Sequence, residues 1–298
     1  MRIIVKAPGS CGELAQGTMN GKNFLITCPI DLYSEVTVKP HEGAASLNLG
    51  TKVIAAIEKT CCYLKIPNTF DIILQSELPI GKGMASSSAD ISAVCQGVAL
   101  SAGKLLSPDE IADIALAIEP TDAIFYPGVM LFDHVNGLIR KYLGNAVPMY
   151  IAIFDVGGEI DTLDFNQRGD LDKLNHAKER QVQEALNIIC EGLLKGDACL
   201  VGKGTTLSAL ANQKILFKPY LEEIMNIGLS WGAAGVNIAH SGTVVGVLFP
   251  AGKINHLFPC IEEIRRHCLG VDFLRVARFI SGGLMKQEGD RGEWSQCF

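Results

Sequence analysis

Hydrophobic positions along the chain switch between two periods, and the switches mark its elements. Residues 69–75 alternate, with Phe70, Ile72 and Leu74 on one side and Asp71 and Gln75 on the other; this is the period of a half-buried strand. Residues 90–102 lack proline and mix Ala, Ile, Val and Leu, as a buried helix does. Between them runs Pro79-Ile80-Gly81-Lys82-Gly83-Met84-Ala85-Ser86-Ser87-Ser88-Ala89, so the order is strand, glycine loop, serine-rich helix start. Upstream, residues 2–7 read as a strand ending at Pro8, and 8–17 as a loop. Residues 24–27 and 32–39 read as further strands, the second with Val36 and Val38 inward and Glu35, Thr37 and Lys39 outward. Residues 53–64 predict a helix.

Ser107-Pro108-Asp109-Glu110 is a helix-start signal, with Ser as cap, Pro at the first position and acids in the first turn. Ile111, Ile114, Ala115 and Ile118 then make an apolar stripe at helical spacing. Pro120 in Glu119-Pro120-Thr121-Asp122 cannot continue that helix, which places Asp122 on the following turn. Residues 129–132 and 138–142 read as a strand pair about Asn136-Gly137. A boundary is expected at 144–148, dividing the chain into 1–145 and 146–298. Beyond it come a strand at 149–154 and a polar, acid-bearing surface loop at 157–169. Helices follow at 172–195 (inner face Val182, Ala185, Leu186, Ile189), 198–211 and 219–229. A strand at 236–239, the turn His240-Ser241-Gly242-Thr243 and a strand at 244–249 lead to an amphipathic helix at 254–268. A strand at 273–279 closes the pattern. There is no internal repeat.

Composition adds limits. The 298 residues suit two medium domains or one large one, and 48% hydrophobic residues supply a large core. A net charge of −6 without a basic run argues against a general nucleic-acid surface. No apolar run reaches the roughly 18 residues of a membrane helix. Ten cysteines suggest disulfides, yet Met-Arg-Ile-Ile-Val-Lys has no secretory pattern and no Cys-x-x-Cys or His-Glu-x-x-His occurs. Buried free thiols in a reducing cytoplasm are expected.

Chemistry is concentrated in four places. Glycines let backbone approach an anion, and a helix start offers unpaired amides with the positive end of the dipole, so 79–89 forms either a phosphate cradle or a tight turn. Hydroxyls of Ser86, Ser87 and Ser88 can cap amides, bond phosphate or reach magnesium. This is not a Walker A loop, and its decoy at 196–204 has five residues between Gly196 and Gly202, with Gly204 at the hydroxyl's place. Nor is it a dinucleotide fingerprint, since Ser86 replaces the third glycine. Residues 8–17, with three glycines and the single carboxylate Glu13, form a wide hairpin bend or part of a site. Asp122 caps the next element or serves chemistry, and 239–243 is a plain turn or a binding one.

The loop at 79–89 resembles the phosphate loop of the GHMP small-molecule kinases, Met84 and Ala85 replacing Leu and Gly. Pro8-Gly9-Ser10-Cys11-Gly12-Glu13-Leu14-Ala15-Gln16-Gly17 and Ala239-His240-Ser241-Gly242-Thr243 resemble that family's first and third motifs, in the same order. The wording of the first, with Glu-Pro-Thr-Asp in mid-chain, is similar to the L-threonine kinases of cobalamin synthesis. The resemblance implies an α+β fold, with an N-terminal domain like ribosomal protein S5 domain 2 and a ferredoxin-like C-terminal domain around one cleft. It implies ATP and Mg2+ as cofactors and transfer of phosphate to threonine, with homoserine, mevalonate or a sugar as rival acceptors and a non-catalytic sensor as a rival role. Pro79, Gly81, Lys82, Gly83, Met84, Ala85, Ser86, Ser87, Ser88 and Ala89 would hold the phosphates; Lys82, without a fixed counterpart, is either a solvated loop lysine or an added positive charge. Ser87 and Glu119 would hold the metal, and Asp122 would act as catalytic base or orient the hydroxyl. Glu13, Ser10 and Gly242 would face the acceptor, Ser10 standing where many members carry lysine. Partners would be small molecules, with no nucleic acid or membrane.

Overall fold

A computed structural model describes residues 2–40, 49–157, 168–288 and 292–298. Its frame is a long ribbon of β1 (Ile3–Met19) and β2 (Lys22–Pro40). The ribbon turns at Asn20-Gly21, both with positive φ (52° and 73°), as a two-residue hairpin of the mirror-image type requires. Residues 8–17 are therefore not a loop: β1 continues through them. The strand reading fails there because the register against β2 shifts at Pro8/Gly9, Ser10/Glu13 and Glu13/Ala15. Bulges of this kind spoil the alternation and accommodate Pro8, which has no amide to donate. For the same reason the separate strands expected at 24–27 and 32–39 are one.

Around the ribbon the chain adds α1 (Thr51–Leu64), β3 (Phe70–Ser76), α2 (Ser86–Ser101), α3 (Pro108–Leu116), β4 (Val129–Phe132), β5 (Arg140–Gly144) and β6 (Met149–Asp155). Then come α4 (Leu171–Lys195), α5 (Ala198–Asn212), α6 (Leu221–Ser230), β7 (Gly235–Ile238), β8 (Val244–Pro250), α7 (Ile254–His267), β9 (Asp272–Arg278), β10 (Met285–Glu288) and β11 (Glu293–Gln296). The main sheet order is β5-β4-β2-β1-β7-β8-β6-β9, with β3 on β2 and β10 on β1. Every strand pair among the described residues is antiparallel. This is an α+β fold.

The larger core joins β1 and β2 to α1, α2, α3 and the inner face of α4, where Val182, Leu186 and Ile189 are buried. A second core packs α6 and α7 against β6, β7 and β8. The sheet runs without a break past residues 144–148. The helix α2 is buried along nearly its whole length. Its small residues allow this: a Cβ on Gly97 would lie 2.7 Å from Val38 Cγ2.

Other expectations are corrected. Residues 273–279 do not close the chain, because β10 and β11 follow as a hairpin of mostly polar residues. Cross-strand pairing and the Lys6 ammonium, 4.0 Å from the Trp294 ring centre, hold it. All ten cysteines are free, but Cys62 and Cys199 are exposed, so burial does not extend to every thiol. Of the surface loop expected at 157–169, residues 158–167 lie outside the described residues. Among the described residues no helix is long and apolar enough to cross a membrane.

The helix-start signal at 107–110 is a complete capping box: Ser107 Oγ accepts from the Glu110 amide at 3.3 Å, and the Glu110 carboxylate accepts from the Ser107 amide at 2.7 Å. Ser107→Ala removes the cap and should lower stability by about 1 kcal/mol, whereas Ser107→Asp should retain most of it. Urea unfolding midpoints check this; equal midpoints for the alanine variant and the parent would count against it.

Candidate active site

Three segments far apart in sequence meet at the loop between β3 and α2, and backbone hydrogen bonds join them. The Met84 carbonyl accepts from the Ser10 amide (3.0 Å) and the Gly83 carbonyl from the Gly12 amide (3.2 Å). The Lys82 carbonyl accepts from the amides of Thr243 (3.0 Å) and Val244 (3.2 Å). The bulges in β1 make its contribution possible, since amides freed from the ladder with β2 turn toward the loop. Gly83 has φ of 80° and packs against Gly242, whose Cα would lie 2.9 Å from an added Cβ. Both the conformation and the space demand glycine there.

The loop delivers the chain into α2 through Ala85, which adopts the left-handed conformation (φ 55°) and puts no side-chain cap on the helix. That conformation costs a non-glycine residue about 1–2 kcal/mol. The first turn of α2 thus opens on the cleft without a capping side chain. The cleft is lined by Gly81, Gly83, Met84, Ala85, Ser86, Ser87 and Ser88, and opposite them by Glu13, Gln16, Lys52, Glu119, Asp122, His134 and Ser241.

Beside the helix mouth, the Ser87 hydroxyl donates to Glu119 Oε1, and Lys52 from α1 pairs with Glu119 Oε2 at 2.6 Å. At the next residue, Ser88 Oγ accepts from the Asp122 amide at 3.0 Å and from Thr121 Oγ1 at 3.1 Å. Ser88 therefore holds the turn that carries Asp122. The helix α3 ends at Leu116, four residues before Pro120, and the Thr121 amide donates to the His134 carbonyl at 3.0 Å, aiming Asp122 at the cleft floor.

At the other end Glu13 is buried (6% exposed). Its Oε2 accepts from the His240 amide at 2.8 Å and faces His240 Nδ1 at 3.0 Å. His240 Nε2 meets Ser208 Oγ at 3.2 Å, and that oxygen accepts from the Gln16 amide at 3.4 Å. Asn237 ties down the bulge from behind, its amide donating to the carbonyls of Cys11 and Glu13.

Burial sets the protonation of this site. It raises Glu13 above the usual carboxylate range, partly offset by the His240 amide and by the charges of Lys218 and Lys178. Asp122 is also raised, first by lost hydration and then by the negative charge of Glu13, with the Ser88 hydrogen bond opposing. Burial pushes His134 down to about 4 and His240 well below its ordinary value. Both rings are neutral at pH 7.

The structure brings together Glu13, Gly81, Gly83, Met84, Ala85, Ser86, Ser87, Ser88, Glu119 and Asp122. Others stand behind the lining. Ser10 is buried with its hydroxyl lacking a hydrogen-bond partner among the described residues, Gly242 lies under Gly83, and Ala89 is inside the core. Pro79 is half-buried outside the cleft, and Lys82 is neither a free loop lysine nor part of the lining: its Nζ pairs with Asp155 at 2.9 Å. Sequence reasoning missed Gln16, Lys52, His134, Lys178, Ser208 and Lys218, and the side chain of His240. For Lys178 a signal existed, because it lies four positions before Val182 on the inner face of α4 and is indeed buried.

A model of the GHMP kinases N terminal domain matches residues 48–126, from the start of α1 to just past Asp122. The chain is 31% identical over 249 residues to an L-threonine kinase of Salmonella typhimurium (strain LT2), covering 82% of each protein. It is 30% identical over 254 residues to an L-threonine kinase of Citrobacter freundii, covering 84% of this chain and 87% of that one. In structure it superposes on the mevalonate kinase of Methanococcus jannaschii with a TM-score of 0.69 at 19% identity, covering 94% of this chain and 98% of that one. A bulged first strand, an uncapped helix behind a glycine loop and a glycine turn locked under it are thus set in a shared fold, and at this level of identity over most of its length the chain belongs to the GHMP kinase family.

Proposed function

We propose that this chain transfers the γ-phosphoryl group of ATP to the side-chain hydroxyl of L-threonine, giving O-phospho-L-threonine. One observation carries the reading: three motif segments, joined by backbone hydrogen bonds, set an uncapped helix N-terminus beside Ser87–Glu119 at one end of a cleft and Asp122 and Glu13 at the other. The relatives named L-threonine kinases support threonine as acceptor. We place the product in the supply of the cobalamin aminopropanol linker, the enzyme in the cytoplasm, and the cleft between domains 1–145 and 146–298.

Phosphoryl transfer asks for in-line positioning and neutralised charge rather than covalent help. Amides of the 81–86 loop and the positive end of α2 meet the triphosphate. The donor set suits magnesium: a hydroxyl and a carboxylate already in contact, Ser87 and Glu119. Among the described residues no group of three or more His, Cys, Asp or Glu could hold a metal; Ser87 and Glu119 would hold Mg2+, an ion that usually keeps several waters and is bound through one or two carboxylates and substrate phosphates. When bound, the ion neutralises phosphate oxygens. Lys52 holds Glu119 in place, and Lys82 adds positive charge only on release from Asp155.

Asp122 receives the acceptor hydroxyl. An alcohol proton is far too weakly acidic to leave before the new P–O bond forms, so Asp122 orients the hydroxyl and takes the proton late. Glu13 pairs with the acceptor ammonium. With ATP and Mg2+, threonine should show the highest kcat/KM in a panel with homoserine, mevalonate and sugars; preference for another member would replace threonine as the acceptor. Asp122→Asn should lower kcat by about 10²- to 10⁴-fold, and an almost unchanged kcat would remove Asp122 from proton transfer.

The same variant tests the electrostatics. Because its pKa is raised, Asp122 binds its proton more tightly in the folded protein than in the unfolded chain. Its ionisation therefore lowers stability as pH rises from the carboxylate range through the raised value. Asparagine escapes this penalty. Asp122→Asn should melt about 2 °C or more above the parent at pH 8, with the gap shrinking as pH falls toward about 4. A gap independent of pH in calorimetric scans would contradict the raised pKa.

A further inference from the structure

Two buried lysines have no part in the chemistry so far. Lys178, on α4, is 5% exposed, and its Nζ donates to Asn212 Oδ1 at 2.8 Å. Lys218, just before α6, is 1% exposed, and its Nζ donates to the Gly242 carbonyl. Each hydrogen bond goes to a neutral oxygen, and neither lysine joins an ion pair among the described residues. Burying two ammonium groups on neutral acceptors is expensive unless an anion completes the site.

Their place is defined by the hydrogen bonds around them. Asn212 lies one helical turn after Ser208 on α5, and Ser208 bonds His240, which bonds Glu13. The Gly242 carbonyl belongs to the same turn as His240. Both ammonium groups therefore flank Glu13. They act on its charge, whereas Asp122 feels Glu13 and Glu119. From one end of the site to the other the order is lysines, Glu13, Asp122, Glu119.

Glu13 alone does not account for the pair. It is one carboxylate against two cations, and its Oε2 is already occupied by the His240 amide and ring. Beside Lys178 the Asn212 side-chain NH₂ is buried with no hydrogen-bond partner among the described residues. The two ammonium groups thus have only neutral acceptors, and the Asn212 NH₂ has none among the described residues. Burial holds both lysines down to about 7, and a further anion beside them would favour their charged forms.

We propose that Lys178 and Lys218, together with the Asn212 amide, bind the carboxylate of the acceptor, and that this site selects a hydroxy-amino acid zwitterion over an uncharged or purely cationic alcohol. The inference rests on the threonine reading above. The order of charges fits that substrate: carboxylate at the lysines, ammonium at Glu13, hydroxyl at Asp122.

The test compares L-threonine with L-threoninamide, which keeps hydroxyl and ammonium and lacks the anion. The full-length parent enzyme with ATP and Mg2+ should favour threonine by on the order of 10²-fold in kcat/KM. In Lys178→Met and Lys218→Met this preference should collapse to a few-fold, with the KM for ATP unchanged. A merely structural role would lower both acceptors alike and keep the parental ratio, which would overturn the assignment. Should either methionine variant fail to fold, Asn212→Asp places a competing carboxylate beside Lys178. It should raise the KM for threonine and leave that for threoninamide unmoved; equal effects on both would again overturn it. Absence of threonine turnover by the parent would instead overturn the proposed function, a result distinct from turnover with an unaltered ratio.

Discussion

The structure depends on one set of contacts: the carbonyls of Lys82, Gly83 and Met84, each bonded to backbone of another segment. Backbone contacts position this loop, with the Lys82–Asp155 ion pair beside them. Its three carbonyls are held by the bulged stretch of β1 and by the strand start at Thr243, and its central residue has room for no Cβ. The direction of α2 follows, and with it the aim of the helix amides. It also follows that the irregularities of β1 are functional: a regular strand would spend its amides on β2 and leave the loop unheld.

Around this frame the molecule concentrates charges that are costly to bury. Glu13, Asp122 and Glu119 share one cleft with Lys52, and Lys178 and Lys218 lie just behind Glu13. Such a site opposes folding, because carboxylates raised by burial and lysines lowered by it are held in forms that water would not favour. The nearly continuous burial of α2 and the two apolar cores offset that opposition. Stability is generated in one part of the chain and spent in another, as expected where a pocket is organised before its ligand arrives.

How much of this was legible in the sequence divides along physical lines. Local signals were reliable. The alternation in β3, the stripe of α3 with its capping box and the inner face of α4 all depend on neighbouring residues. The glycine loop and the serine-rich start of α2 were legible because those signals are local too. Residues 8–17 were not, since their strand character is supplied by partners on both sides. The polar hairpin of β10 and β11 carried no hydrophobic period. The turn at Asn20-Gly21 did have its signal, a two-residue Asn-Gly between strands, and went unread because the flanking pattern was already broken. The sequence around Lys178 is polar, and only the tertiary structure shows that it and Lys218 are buried with their ammonium groups on neutral oxygens.

The substitution at Ser10 bears on the chemistry in a way the sequence could only raise. The resemblance to the GHMP kinases implies lysine there, and a cation could lower the proton affinity of a neighbouring carboxylate. Here Ser10 is buried with its hydroxyl unbonded to any described residue, and its amide belongs to the Met84 carbonyl. No cation is among the influences on Asp122; its neighbours in charge are Glu13 and Glu119, both negative. Lys52, the cation on this side of the cleft, is paired with Glu119. Asp122 consequently holds a proton more firmly than a lysine-paired aspartate would. In the proposed reaction, whose proton would leave late, that would be an advantage, since the acceptor of a late proton gains from basicity and needs no help in removing it early. The loss of the lysine and the raised carboxylate are therefore two sides of one arrangement, in which burial and like charge do what a neighbouring cation would undo.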